Sequence, residues 1–227
     1  IVRYYQTLTY ALSLKEMHLD AIASFDKTFK INPKSNRYWH DRGIDSINDN
    51  DFKDAVACFE NAINLDELDD GSWYFKGIAY ENLREDKKAI ACYDKAIEIN
   101  PQYSEAYNNL GNAFKNIGRL EDAVISYQNA LKLNPDFPAL HNNLGNSFKE
   151  LGKLDEALKS YQNALVHNPD YPDSLNNLGV ISAMLGELEE SVEYYKKAIA
   201  VKPNFAEASN NLGNSLKRLG LFDKAVI

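Results

Sequence analysis

The chain has 227 residues, a formal net charge of −8 and a pI near 5.1, so it lacks the basic excess that nucleic-acid recognition usually requires. No apolar run approaches the length of a membrane span, and the start lacks the basic-then-apolar order of a signal peptide. With Ile1 rather than methionine at its head, the sequence reads as a piece of something longer, in which a targeting segment could lie, and its sparing use of cysteine fits a reducing, cytoplasmic setting.

The sequence repeats itself every 34 residues, in units 2–35, 36–69, 70–103, 104–137, 138–171, 172–205 and a partial seventh, 206–227, without insertions. Tandem units of this length predict a solenoid of short hairpins, none able to bury its apolar face without a neighbour. The first unit is the most divergent: Tyr5, Leu8, Leu12, Ala21, Phe25 and Pro33 keep the register, but Thr9 and Thr28 stand where later units have Gly and Ala, as suits a capping unit. The second keeps Trp39, Gly43, Ala55, Phe59 and Ala62, with Glu67 in the proline position inside an acidic turn. The third carries Trp73, Gly77, Tyr80, Ala89, Tyr93, Ala96 and Pro101.

In the fourth unit, Tyr107, Leu110, Gly111, Phe114 and Ile117 fall on one face of a helix, helix A. Gly118 follows, where a left-handed residue can close the helix, and Leu120, Ala123, Val124, Tyr127, Ala130 and Leu131 make the apolar face of helix B. Asn134-Pro135 ends helix B, because proline disfavours helical geometry in the residue before it and has no backbone donor. Gly111, Ala123 and Ala130 are the small residues on these faces and mark the closest approach of the two helices. Glycine closes helix A only at Gly118, Gly152, Gly186 and Gly220, whereas Glu16, Asn50 and Arg84 stand there earlier, so two sub-families of repeat meet near Tyr103. The seventh unit stops inside its helix B, which is expected to leave Leu212, Leu216, Leu219 and Phe222 uncovered and prone to self-association.

The spacing of Tyr107, Leu110-Gly111, Phe114, Ala123, Tyr127, Ala130 and Pro135 resembles that of the tetratricopeptide repeat, and the resemblance covers nearly the whole chain. It implies an all-α fold: a right-handed α-α superhelix of six full repeats plus a partial seventh, forming one array over 1–227. It also implies that the side of helix A turned away from helix B lines a concave groove, where such proteins take a peptide or partner protein.

Chemistry beyond binding is not encoded in any recognisable form. His18, His40, His141 and His167 occupy four different positions of the repeat, without metal-ligand spacing, and no nucleophile elbow, phosphate loop or dinucleotide motif occurs. The chain is therefore expected to have no active site, metal or cofactor of its own. Cys58 and Cys92 share one position of successive units, and equivalent atoms of stacked helices lie about 10 Å apart, too far for a disulfide.

The groove side of helix A in the later units is rich in asparagine: Asn108, Asn109 and Asn112; Asn142, Asn143 and Asn146; Asn176 and Asn177; Asn210, Asn211 and Asn214. Lys115, Lys149 and Lys217 follow on the same face. Asparagine is a poorer helix former than alanine by several tenths of a kcal/mol. A carboxamide can both donate to and accept from an extended peptide backbone, which would repay that cost. Asn109, Asn143, Asn177 and Asn211 resemble the asparagine ladder of nucleocytoplasmic O-GlcNAc transferases, while Thr7, Asp41 and Phe75 break it earlier. The alternative is that copied repeats carry copied residues whose amides bond water or one another. In the early groove Tyr10, Ile44, Ile47, Tyr74, Phe75 and Ile78 are apolar, suited to packing between helices A or to an apolar ligand. The carboxylate clamp of co-chaperone repeats is not available, since its first position holds Gln6, His40, Tyr74 and Asn108 rather than lysine.

Three functions fit these features: a scaffold binding an extended peptide or partner protein in its groove; the substrate-recruiting arm of a larger enzyme such as a glycosyltransferase; and a self-assembling structural protein.

Overall fold

The structure, a computed structural model, describes residues 35–221. The first-unit residues Tyr5, Leu8, Leu12, Ala21, Phe25 and Pro33, together with Tyr10 and His18, and Phe222 at the other end, lie outside the described residues. The chain forms two compact units, Ile1–Pro101 and Gln102–Ile227. Among the described residues every regular element is a helix.

The first unit contains α1 (Asn36–Asn48), α2 (Phe52–Leu65), α3 (Asp70–Asn82) and α4 (Asp86–Ile99). The second contains α5 (Ser104–Asn116), α6 (Leu120–Leu133), α7 (Pro138–Glu150), α8 (Leu154–His167), α9 (Pro172–Leu185), α10 (Leu188–Val201) and α11 (Ala206–Arg218). Odd-numbered helices are helices A and even-numbered ones helices B. Within each unit every helix packs against the one before and the one after it. Each unit is thus a stack of antiparallel helical hairpins, set where the 34-residue period places them.

Among the described residues, six A-to-B turns share one backbone device. Asn50, Arg84, Gly118, Gly152, Gly186 and Gly220 have φ between 60° and 88°, the left-handed conformation that closes a helix. The next residue's N–H then reaches back five positions, as in Asp51 to Ser46 (2.8 Å), Glu85 to Tyr80 (2.9 Å) and Arg119 to Phe114 (2.9 Å). The sequence marks this turn only where glycine occupies it. Asn50 and Arg84 are held there by the same bonds despite the steric cost of a Cβ.

Packing inside each hairpin centres on one glycine and one ring. A Cβ built on Gly43, Gly77, Gly111, Gly145 or Gly179 would lie 2.5 to 2.6 Å from the ring of Phe59, Tyr93, Tyr127, Tyr161 or Tyr195 respectively. Alanines flank the ring on helix B: Ala123 and Ala130, Ala157 and Ala164 are fully buried. The small residues identified from the sequence are thus where the helices approach, and the aromatic of helix B is what occupies the space.

The first unit also departs from the second at a core column of helix A. Leu110, Leu144, Leu178 and Leu212 in later helices A correspond to Arg42 and Lys76. Arg42 lies 3.7 Å from Asp54, and Lys76 lies 3.0 Å from Glu60 with its ammonium over the rings of Trp73 and Tyr80.

Candidate functional site

The asparagines of helices A in the second unit join across repeats. Asn143 Nδ2 donates to Asn108 Oδ1 (3.3 Å), Asn177 Nδ2 to Asn142 Oδ1 (3.1 Å), and Asn211 Nδ2 to Asn176 Oδ1 (3.1 Å). Each ladder residue thus bonds the carboxamide beside the previous ladder position. The result is one polar strip over α5, α7, α9 and α11. Helical periodicity alone puts these residues on one face, and the 34-residue period sets them in register across neighbouring helices.

Within the strip the residues are not equivalent. Asn142, Asn176 and Asn177 are buried. Asn142 Oδ1 also accepts from Ser174 Oγ (3.1 Å), Asn177 Nδ2 also reaches Asn146 Oδ1 (3.2 Å), and Asn176 Nδ2 donates to Glu207 (3.0 Å). Asn112 and Asn146 accept the hydroxyls of Tyr127 and Tyr161 at 2.6 and 2.8 Å, tying the strip to the hairpin core. Asn108 donates to Asn109 Oδ1 (3.1 Å), and Asn210 and Asn214 are exposed. Asn143 and Asn211 are half-buried, held through Nδ2, and nothing among the described residues donates to their Oδ1 atoms.

Of the three lysines, Lys115 lies 3.9 Å from Glu150, and Lys217 is exposed. Lys149 donates to Asn177 Oδ1 (3.1 Å) and forms no ion pair among the described residues. Burial pushes its ammonium below the usual lysine range, against the opposing pull of Glu207 and Glu150.

In the first unit, Tyr74 and Phe75 are engaged in packing. Phe75 stacks on Phe59 with ring centroids 6.1 Å apart, meets the His40 ring edge-on at 5.6 Å, and joins the cluster of Ala55, Phe59 and Ala79 with Ile44 and Ile47. Tyr74 lies against Phe75 and Tyr93. His40 Nδ1 is 2.8 Å from Ser72 Oγ, which donates to Asp69 Oδ2, the carboxylate capping α3.

Two features escaped the reading of the sequence. His141 and His167 stack with centroids 5.4 Å apart, although they occupy different repeat positions. The available signal was that both, within the fifth repeat, replace apolar residues of the fourth repeat, Tyr107 and Leu133. The second is an interruption in α9: Val180, Ala183 and Met184 stand where the neighbouring helices A carry Asn112, Lys115 and Asn116 or Asn146, Lys149 and Glu150. Comparing columns, rather than counting asparagines, would have exposed it.

Leu212 and Leu216, expected to lie uncovered, are instead buried against Val192 and Tyr195; with Leu219, Val192 and Leu221 they line a cleft of about 320 Å³. Cys58 and Cys92 are buried free thiols, each with its pKa pushed up to about 11, chiefly by burial. Among the described residues no group of three His, Cys, Asp or Glu side chains could hold a metal ion, and no helix is long and apolar enough to cross a membrane.

No curated protein matches the chain. Among solved structures, MamA is similar at 23% identity and a TM-score of 0.68 over 73% of this chain and 96% of its own. YrrB, described as a TPR protein with an unusual peptide-binding site, gives 23% and 0.68 over 81% and 95%. PilF of Pseudomonas aeruginosa gives 18% and 0.73 over 84% and 86%. These likenesses are likenesses of fold. The model of the TPR repeat matches residues 85–118, 111–152, 145–186 and 183–220, more than half of the sequence. With the glycine-to-ring hairpins repeating at the same period, the chain belongs to the tetratricopeptide repeat family.

Proposed function

We propose that the chain is a protein-interaction scaffold, without catalysis of its own, that holds an extended peptide segment of a partner along the asparagine strip of α5, α7, α9 and α11. The observation that carries this reading is the state of Asn143 and Asn211: each carboxamide is fixed through Nδ2 while nothing among the described residues donates to its Oδ1. A fixed, half-buried acceptor suits a peptide N–H, because little side-chain entropy remains to be lost when the bond forms. Bonds to backbone rather than side chains make such a strip tolerant of sequence.

The test is a fluorescence anisotropy titration of several unrelated peptides selected on the purified chain. Asn143→Ala with Asn211→Ala is expected to weaken all of them together, by roughly 0.5 to 1.5 kcal/mol for each bond lost. Unchanged affinity for every peptide would place the binding surface elsewhere.

A further inference from the structure

The interruption in α9 is flanked by features that no other helix A among the described residues combines. The ring of Tyr195 lies against Gly179 as Tyr127 lies against Gly111 and Tyr161 against Gly145. In those two hairpins the tyrosine hydroxyl bonds the asparagine next to the glycine, Asn112 or Asn146. In α9 that residue is Val180, which packs on the cluster containing Tyr195. The Tyr195 hydroxyl consequently has no hydrogen-bond partner among the described residues, although the residue is only 2% exposed. Since no fully buried side-chain polar atom among the described residues is unpaired, this hydroxyl keeps an opening to solvent.

Further along α9, Met184 is 61% and Leu185 53% exposed, while Glu207 and Arg218 are the charged groups near enough to act on the Tyr195 phenol. Two cations from the neighbouring helices A reach onto α9 on either side of Val180: Lys149 Nζ to Asn177 Oδ1 (3.1 Å) and Arg218 Nη1 to the Ala183 carbonyl (3.1 Å). Both donate to neutral oxygens, and neither forms an ion pair among the described residues. A half-buried ammonium and a guanidinium set about an apolar step, in a chain of net charge −8, complement carboxylates brought by a ligand.

Resting on the peptide-scaffold reading above, we propose that Val180, Ala183 and Met184 form a side-chain subsite for one apolar residue of the bound peptide, with Lys149 and Arg218 selecting acidic residues on both sides of it. The Tyr195 hydroxyl at the edge of the subsite serves the adjacent peptide backbone as donor or acceptor. Where the strip around it reads backbone alone, this step supplies preference: an acidic segment containing an aliphatic or aromatic residue.

A random linear-peptide library selected on the purified chain tests this. Enriched peptides are expected to carry an apolar residue with Asp or Glu on each side. Val180→Asn with Met184→Asn is expected to weaken them about tenfold, the share of a buried aliphatic side chain. Because an amide at 180 also gives the Tyr195 hydroxyl an acceptor, the thermal midpoint of that variant should hold or rise. Lys149→Gln with Arg218→Gln is expected to abolish the acidic preference and most of the salt dependence of binding. If the peptides bind the Val180/Met184 variant as tightly as the original chain yet weaken with Asn143→Ala and Asn211→Ala, the peptide strip stands and the subsite is overturned. If none of these substitutions matters, or nothing is enriched, both proposals fall.

Discussion

At the scale of single residues, two backbone positions carry opposite lessons about glycine. Arg84 closes α3 with φ 62°, a conformation that costs a residue with a Cβ roughly 1 to 2 kcal/mol, and the later units relieve that cost with Gly118, Gly152, Gly186 and Gly220. Arg84→Gly is therefore expected to raise stability, by up to about 1 kcal/mol once the greater freedom of the unfolded chain is deducted. Urea denaturation reads this directly, and a lower midpoint would show that the Arg84 side chain contributes more than its backbone costs. Gly145 is the reverse case. In a helix interior, Gly→Ala is worth nearly 1 kcal/mol by propensity, but a Cβ here would sit 2.6 Å from Tyr161 Cε1. Overpacking of this kind costs about 1 to 3 kcal/mol, so the contact outweighs propensity and Gly145→Ala is expected to destabilise. A more stable variant would mean that the ring can move aside. Both positions were legible in the sequence as repeat columns. The strain at Arg84 was not, because only the backbone angle reveals it.

At the scale of elements, the asparagines that look alike in a list divide by burial. Asn142→Ala removes the acceptor of both Ser174 and Asn177 in a buried site, which should cost about 1 to 3 kcal/mol, whereas Asn210→Ala on an exposed face should be neutral or slightly stabilising. Equal effects in thermal melts would show that the inter-repeat amide bonds contribute nothing to stability. Helices B have a matching signature at high pH. The thiols of Cys58 and Cys92 rise from an ordinary 9.0 to about 11, and the Tyr195 phenol from 10.0 to about 12, all chiefly through burial. A group that holds its proton more tightly folded than unfolded draws stability down as pH rises between its two values. These three groups should therefore draw stability down from about pH 9 towards pH 12, read as the difference between the original chain and Cys92→Ser, in which the early part of the fall is shallower. Stability independent of pH over that window would contradict the burial of these groups. The sequence located the cysteines on helix B but could not say how deep they lie, since burial depends on which neighbour covers each turn.

At the scale of the whole molecule, the 34-residue period was sufficient for the fold, because a hairpin repeated in register has few other ways to bury its apolar face. The site was legible only as a face. Periodicity put the asparagines together on helices A, but the pattern of donors and acceptors that leaves Asn143 and Asn211 open depends on distances across repeats, and the apolar step at Val180 and Met184 was hidden by attention to what the repeats share. The central claim, that a peptide lies along this strip, is tested most directly by following the asparagine side-chain NH₂ resonances in NMR spectra while a selected peptide is added. The signals of Asn143 and Asn211 should move in step with saturation, while that of Asn61, bonded to the Ala57 carbonyl on α2, stays in place. Saturable binding that leaves Asn143 and Asn211 unmoved would contradict it.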